Sequence, residues 1–230
     1  MKIVLLFFTV ILAGCFATSP NQGTRIDEVA MYGGMDRSKY PDLKIGDEKF
    51  ISDVTDRFGS REKASKLWVE QGFKFYSQNN LGMAMRRFNQ AWLLDPKNPE
   101  VFAGFGSVLH DQGKNCESMR MMEKSLSLNP PTFQGIYPDA ARIFTLCAVS
   151  DKTLTTEEKS NLISNSEELY KKAEEVEPNK EYVYGSWATA YYWRGEYAKS
   201  WSMVAKQRES GGKLGEKFMN LLRSKMPEPN

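Results

Sequence analysis

The side chains best suited to chemistry in this 230-residue chain are few: one histidine, His110, and three cysteines, Cys15, Cys116 and Cys147. A lone imidazole has no second histidine with which to ligate a metal, and no two cysteines have the close spacing of a zinc site. No nucleophile elbow, phosphate loop or dinucleotide-binding glycine pattern occurs, so no organised nucleophile or phosphate cradle is expected. These residues point to binding rather than catalysis, with neither a cofactor nor a metal. Thirty-one basic and 29 acidic residues nearly cancel, so no global field would draw the chain to nucleic acid or to an anionic membrane face. Charge runs such as Lys171-Lys172 beside Glu174-Glu175 read as solvated helix faces.

The elements that must position any binding residues are legible from Ser65 to Asn98. Trp68, Gly72 and Phe75 fall on one side of a first helical pattern; Ala84, Phe88 and Ala91 fall on one side of a second. Pro96 closes the unit because it has no amide to donate to a continuing helix. The same residue types return 34 positions later as Phe102, Gly106, Leu109, Ser118, Met122, Ser125 and Pro130. Around Pro178 they return again, with Ser166, Tyr170 and Ala173 before it and Tyr184, Ala188, Tyr191, Ser200 and Val204 after it.

This order of large aromatic, small residue, aromatic, then small, large, small and proline resembles the tetratricopeptide repeat. The resemblance implies an all-α fold, a superhelical solenoid of antiparallel helix pairs, with repeats at about 65–98, 99–132, 133–180 and 181–214. Gly72 and Ala84 would sit where paired helices cross, since a larger side chain would push them apart. The third repeat is irregular: the spacing from Pro130 to Pro178 leaves about 14 extra residues between helices, by the 34-residue period. That insertion is either a partner contact or a tolerated surface loop. Pro138 suits the first turn of a delayed helix running to about Val149, and Ser150 to Thr156 reads as an extended turn. Residues 214–226 read as a capping helix, with Phe218, Leu221 and Leu222 covering the last repeat.

Residues 1–14 read as an export signal: Lys2, then an apolar run from Ile3 to Leu12 that is too short to remain as a membrane span. Leu12-Ala13-Gly14-Cys15 resembles a bacterial lipobox, which implies acylation of Cys15 after cleavage. The alternative is an ordinary cleaved signal with a coincidental cysteine. Buried methylenes contribute ~0.8 kcal/mol each, so several acyl chains would anchor the protein in effect irreversibly. Phe16, where an Asp would retain such a lipoprotein at the inner membrane, favours the outer membrane by resemblance. Residues 15–46 hold Pro20, Gly23, Gly33-Gly34, Pro41 and Gly46 and read as a tether, although Tyr32, Met35, Tyr40 and Leu43 are more apolar than a spacer needs. Asp47 would then cap a short helix within residues 47–64, whose stripe Phe50, Ile51, Val54 and Phe58 packs on the first repeat.

The domain at 65–226 would bind with the hollow face made by its first helices. By resemblance the groove positions are Lys66, Val69, Phe73 and Tyr76; Glu100, Ala103, Ser107 and His110; and Tyr182, Gly185, Thr189 and Tyr192. Repeat three is too irregular to carry over. His110 is thus either a groove residue or a plain surface histidine. The set lacks the Lys/Arg-rich clamp with which chaperone-binding repeats hold an acidic peptide terminus. Cys116, at the start of one helix, and Cys147, near the end of an antiparallel neighbour, would be adjacent. An exported protein would keep them as a disulfide worth roughly 3–4 kcal/mol in the chain-entropy model, against two separately buried thiols.

Similar lipoproteins include pilus-biogenesis factors that help outer-membrane secretin assembly and adaptors that gather peptidoglycan hydrolases. The resemblance therefore implies a periplasm-facing, lipid-anchored scaffold of the cell envelope. Its partners would be periplasmic or outer-membrane proteins, without nucleic acid. The alternative is a receptor for a peptidoglycan fragment or another small ligand, bound through Tyr184, Tyr192 and Trp193.

Overall fold

Helix starts along the chain carry side chains that accept from otherwise free amides. Ser60 Oγ accepts from the Lys63 N–H at 3.1 Å, Asn80 Oδ1 from Met83 at 3.2 Å, Asn98 Oδ1 from Glu100 at 3.0 Å and Asn179 Oδ1 from Tyr182 at 3.0 Å. Thr155 and Glu158 form a reciprocal capping box, and Pro41 and Pro99 occupy first turns, where no amide is missed. The computed structural model describes residues 39–229, in which ten helices and no strand occur. They are α1 Pro41–Phe58, α2 Arg61–Ser77, α3 Leu81–Leu94, α4 Pro99–Asp111, α5 Asn115–Ser127, α6 Ile136–Ser150, α7 Thr156–Val176, α8 Lys180–Trp193, α9 Tyr197–Glu209 and α10 Glu216–Lys225. The expected export signal, Cys15, and the expected tether as far as residue 38, with Tyr32 and Met35, lie outside the described residues.

The all-α fold is a succession of antiparallel pairs, α2/α3, α4/α5, α6/α7 and α8/α9, each packed on the next. Three of the four crossings are fixed in the same way. A serine hydroxyl on the second helix donates to a carbonyl on the first: Ser118 to Gly106 at 2.7 Å, Ser166 to Ala141 at 2.7 Å and Ser200 to Ala188 at 2.8 Å. A small residue is needed on both sides for the hydroxyl to reach a helix backbone. The first pair, which has Ala84 in place of that serine, crosses differently. The Phe88 ring lies between Gly72 on α2 and Gly104 on α4, and a Cβ at either glycine would come within 2.4 Å of it. What excludes a side chain from Gly72 is therefore Phe88 rather than Ala84. The turns within three pairs carry one left-handed residue each, Asn79, Gly113 and Gly195, at φ of 57°, 77° and 76°; asparagine and glycine enter that region most readily.

The third pair departs from the expected single insertion. Its extra length is shared between residues 128–135 before α6, the turn 151–155 and α7 itself, which has 21 residues where α5 and α9 have 13. Helix, not loop, absorbs most of it, because Thr155 and Glu158 start α7 early. α1 also differs from expectation. It begins at Pro41, so Asp47 lies inside the helix rather than at its N-cap and the expected tether would end sooner; Pro41 supplies the start, and Gly46 is carried inside the helix. Its stripe does pack on the first pair, with Phe50 and Phe58 edge-on to Trp68 at 5.8 and 5.7 Å between ring centroids. At the other end α10 buries Met219 and Leu222, and Phe218 is partly covered. Leu221, expected in that contact, is 43% exposed, because it falls on the helix flank between them. Cys116 and Cys147 are joined as a disulfide with Cα atoms 4.7 Å apart, linking α5 to α6.

Candidate functional site

The first helices of the pairs frame two cavities. One, of about 690 Å³, lies among α2, α4, the 128–135 segment and the start of α6. Six of the expected groove residues line it: Lys66, Val69, Phe73, Glu100, Ala103 and Ser107. The spacing 2, 5 and 9 within α2 and α4 puts these residues on one face of each helix. The second cavity, of about 520 Å³, lies between α6 and α8 and is lined by His110, Tyr182, Gly185 and Thr189 from the expected set. Trp193, 56% exposed, stands on its rim, whereas Trp187 and Trp201 belong to the core.

Two expected residues line neither cavity. Tyr76 packs edge-on to Phe73 at 6.4 Å, and burial followed by the neighbouring Asp111 carboxylate raises its phenol well above the ordinary range. Tyr192 lies against Trp193, Tyr197 and Phe218, the last at 5.5 Å. The groove position in the last pair is thus consumed by the contact with α10, which the sequence pattern of the pair alone did not reveal.

Between the cavities stands a polar divider contributed by three helices. Asp139 Oδ1 accepts from Arg142 Nη2 at 3.1 Å and from the Tyr182 hydroxyl at 2.6 Å. Arg142 Nη1 lies 2.9 Å from His110 Nε2, and His110 Nδ1 lies 3.0 Å from Asn115 Oδ1. A guanidinium can only donate and a side-chain carbonyl can only accept. With the Asn115 amide oriented as it is, the imidazole is therefore the neutral Nδ1–H form, accepting at Nε2. His110 serves as a strut for Arg142. Burial opposes the Arg142 cation, but Asp139, Tyr182 and Tyr170 outweigh it and its affinity for the proton rises. Burial, then the Asp139 charge, holds the Tyr182 phenol far above its ordinary range.

Asp139 and Arg142 were missed because the broken third repeat hid its register. The hydroxyl contact from Ser166 restores it: Ala141 stands where Gly106 and Ala188 stand in their pairs. The third pair's groove positions are then Gly135, Pro138, Arg142 and Thr145, of which Thr145 is spent on Ser166 at 2.9 Å. In the regular pairs the serine follows its carbonyl partner by 12 residues and here by 25. A search for a small apolar residue at the longer spacing would have been the usable signal. Among the described residues no group of three or more metal-ligating side chains converges, and no helix is long and apolar enough to cross a membrane. No model of a known protein family matches the chain, and no curated protein resembles it significantly in sequence.

Proposed function

We propose that this chain is a tetratricopeptide-repeat lipoprotein, anchored through acyl groups on Cys15, that holds a protein partner against the cell envelope and commits no catalytic chemistry. The observation that carries the reading is the gathering of Lys66, Val69, Phe73, Glu100, Ala103 and Ser107 around one cavity. These are the positions at which a repeat of this kind offers its hollow face. The recurrent serine-to-carbonyl crossings support the repeat assignment, since they recur at one register of the pattern in three pairs. Mechanistically, the lipid fixes the protein at the membrane, most simply the outer membrane on its periplasmic side. The segment before Pro41 gives reach, and the groove raises the partner's local concentration there.

The test is site-directed photo-crosslinking of the full lipidated chain in intact envelopes. A photoreactive residue at Ser107 or Thr189 should give discrete protein adducts, and one at the exposed outer position Lys171 should give none. Cys15→Ser should release the protein from the membrane fraction. Absence of groove adducts from intact, membrane-bound protein would overturn the adaptor reading. A second reading is favoured by one feature, the exposed Trp193 beside the second cavity. An exposed indole beside a largely apolar recess that also presents Glu181, Ser186 and Thr189 suits stacking on a sugar ring or small amide. Saturable binding of muropeptides, lost in Trp193→Ala and unaccompanied by protein adducts, would establish that reading instead.

A further inference from the structure

The carboxylate of Glu100 is the least expected feature of the first cavity. The residue is 9% exposed and lines the cavity wall. Among the described residues its side chain has no hydrogen-bond or ion-pair partner. With no partner among those residues, its carboxylate is open to the cavity and presents a negative charge to whatever enters. The remaining wall is mostly apolar, with Val69, Phe73, Met122 and Ile136 around it, and Phe133 stands 68% exposed at the mouth.

The charges that face this cavity are four. Asp139 is already committed to Arg142 and Tyr182. Glu70, exposed on α2, and Glu100 are opposed by one cation, Lys66, which is exposed and makes no ion pair among the described residues. An anionic guest would bring a second negative charge against Glu100. A purely apolar one would leave the negative charge of Glu100 unmatched.

We propose that the first cavity takes a lysine or arginine side chain from an apolar segment of the partner. Its alkyl stem would lie on Phe73, Val69 and Met122, its cation would be received by Glu100, and Phe133 would cover a neighbouring apolar side chain. Long basic side chains are suited to this, because they bury the stem and present the charge at its end. The inference rests on the adaptor reading and gives the partner its chemistry, a polarity opposite to that of an acidic peptide terminus.

The experiment is fluorescence anisotropy on the full chain with two labelled eight-residue peptides. One alternates leucine with lysine; the other has glutamate in place of every lysine. The lysine peptide should bind saturably and the glutamate peptide should not. Glu100→Gln, which keeps the shape and removes the charge, should weaken binding about tenfold, and the exposed Glu70→Lys should weaken it in the same direction. Glu175→Gln on the outer face of α7 should leave binding unchanged. Equal affinity of Glu100→Gln and the parent for the lysine peptide would overturn the proposal, as would saturable binding of the glutamate peptide or no binding of either. If Glu100→Gln did not fold, an unchanged affinity in Glu70→Lys would overturn it. Should the peptides fail while Ser107 still crosslinks a protein, this inference falls and the adaptor reading stands; should both fail, the adaptor reading falls as well.

Discussion

At the scale of single residues, close approach decides more than hydrophobicity does. Phe88 is fully buried because Gly72 and Gly104 leave room for its ring on two neighbouring helices. A methyl group at either position meets ring atoms that have nowhere to go. Gly72→Ala and Gly104→Ala should each lower unfolding free energy by about 1–3 kcal/mol, the usual cost of overpacking. Gly46, inside α1, faces open space, so Gly46→Ala should raise stability by about 0.5–1 kcal/mol through helix propensity alone. Thermal unfolding of the three variants checks the opposite signs. The pattern singled out Gly72 as a tight position, yet Gly104 falls outside it, and only coordinates reveal one ring shared by two glycines.

At the scale of elements, the last two pairs are tied by a polar contact that the sequence displays only as separate charges. Glu174 on α7 accepts from Lys206 on α9 at 2.9 Å and from the Tyr184 hydroxyl on α8 at 2.9 Å. The Lys206 hydrogen bond is the main reason its carboxyl titrates below the ordinary value of 4.5. A carboxyl whose folded-state value is depressed binds protons less well in the folded chain than in the unfolded one. Its contribution is therefore complete above pH 4.5 and is lost as pH falls through the lower folded-state value. Both side chains are partly in water, so the contribution is about 0.5 kcal/mol. Glu174→Gln should be less stable than the parent at pH 7 by that amount, and the difference should shrink at an acid pH well below 4.5. Urea titrations at the two pH values measure it; a difference that grew on acidification would show that the tie is not electrostatic.

At the scale of the whole molecule, the disulfide sits where the regular repeat breaks. It joins α5, the last helix before the irregular 128–135 segment, to α6, the first after it. The stack is otherwise continued there by packing and by hydrogen bonds, Arg142 to His110 and Asn115 to Ser150, and α6 carries both Asp139 and Arg142 of the divider. Closing a sequence separation of 31 restricts the unfolded chain by about 3–4 kcal/mol in the chain-entropy model. Reduction, or Cys116→Ser with Cys147→Ser, should lower the midpoint of thermal unfolding by several degrees. It should also weaken crosslinking from Ser107 more than from Thr189, because the first cavity is built across that junction. An unchanged midpoint after verified reduction would show that the noncovalent contacts suffice.

The helical character, the pairing and most crossing residues were determined by the sequence, because they follow from local periodicity and from the size of side chains at fixed spacing. Buried Ser118, Ser166 and Ser200, each recurring in register, are the clearest case. The register of the third pair's first helix and the partial covering of Tyr192 by Phe218 were decided only in three dimensions. Each depends on which distant element arrives to cover a face, and no periodicity within one helix encodes that. The division of the hollow face by Asp139, Arg142, Tyr182 and His110 belongs to the same class. Its members lie on α4, α6 and α8, far apart in the chain, and hydrogen-bond geometry rather than sequence pattern brings them together.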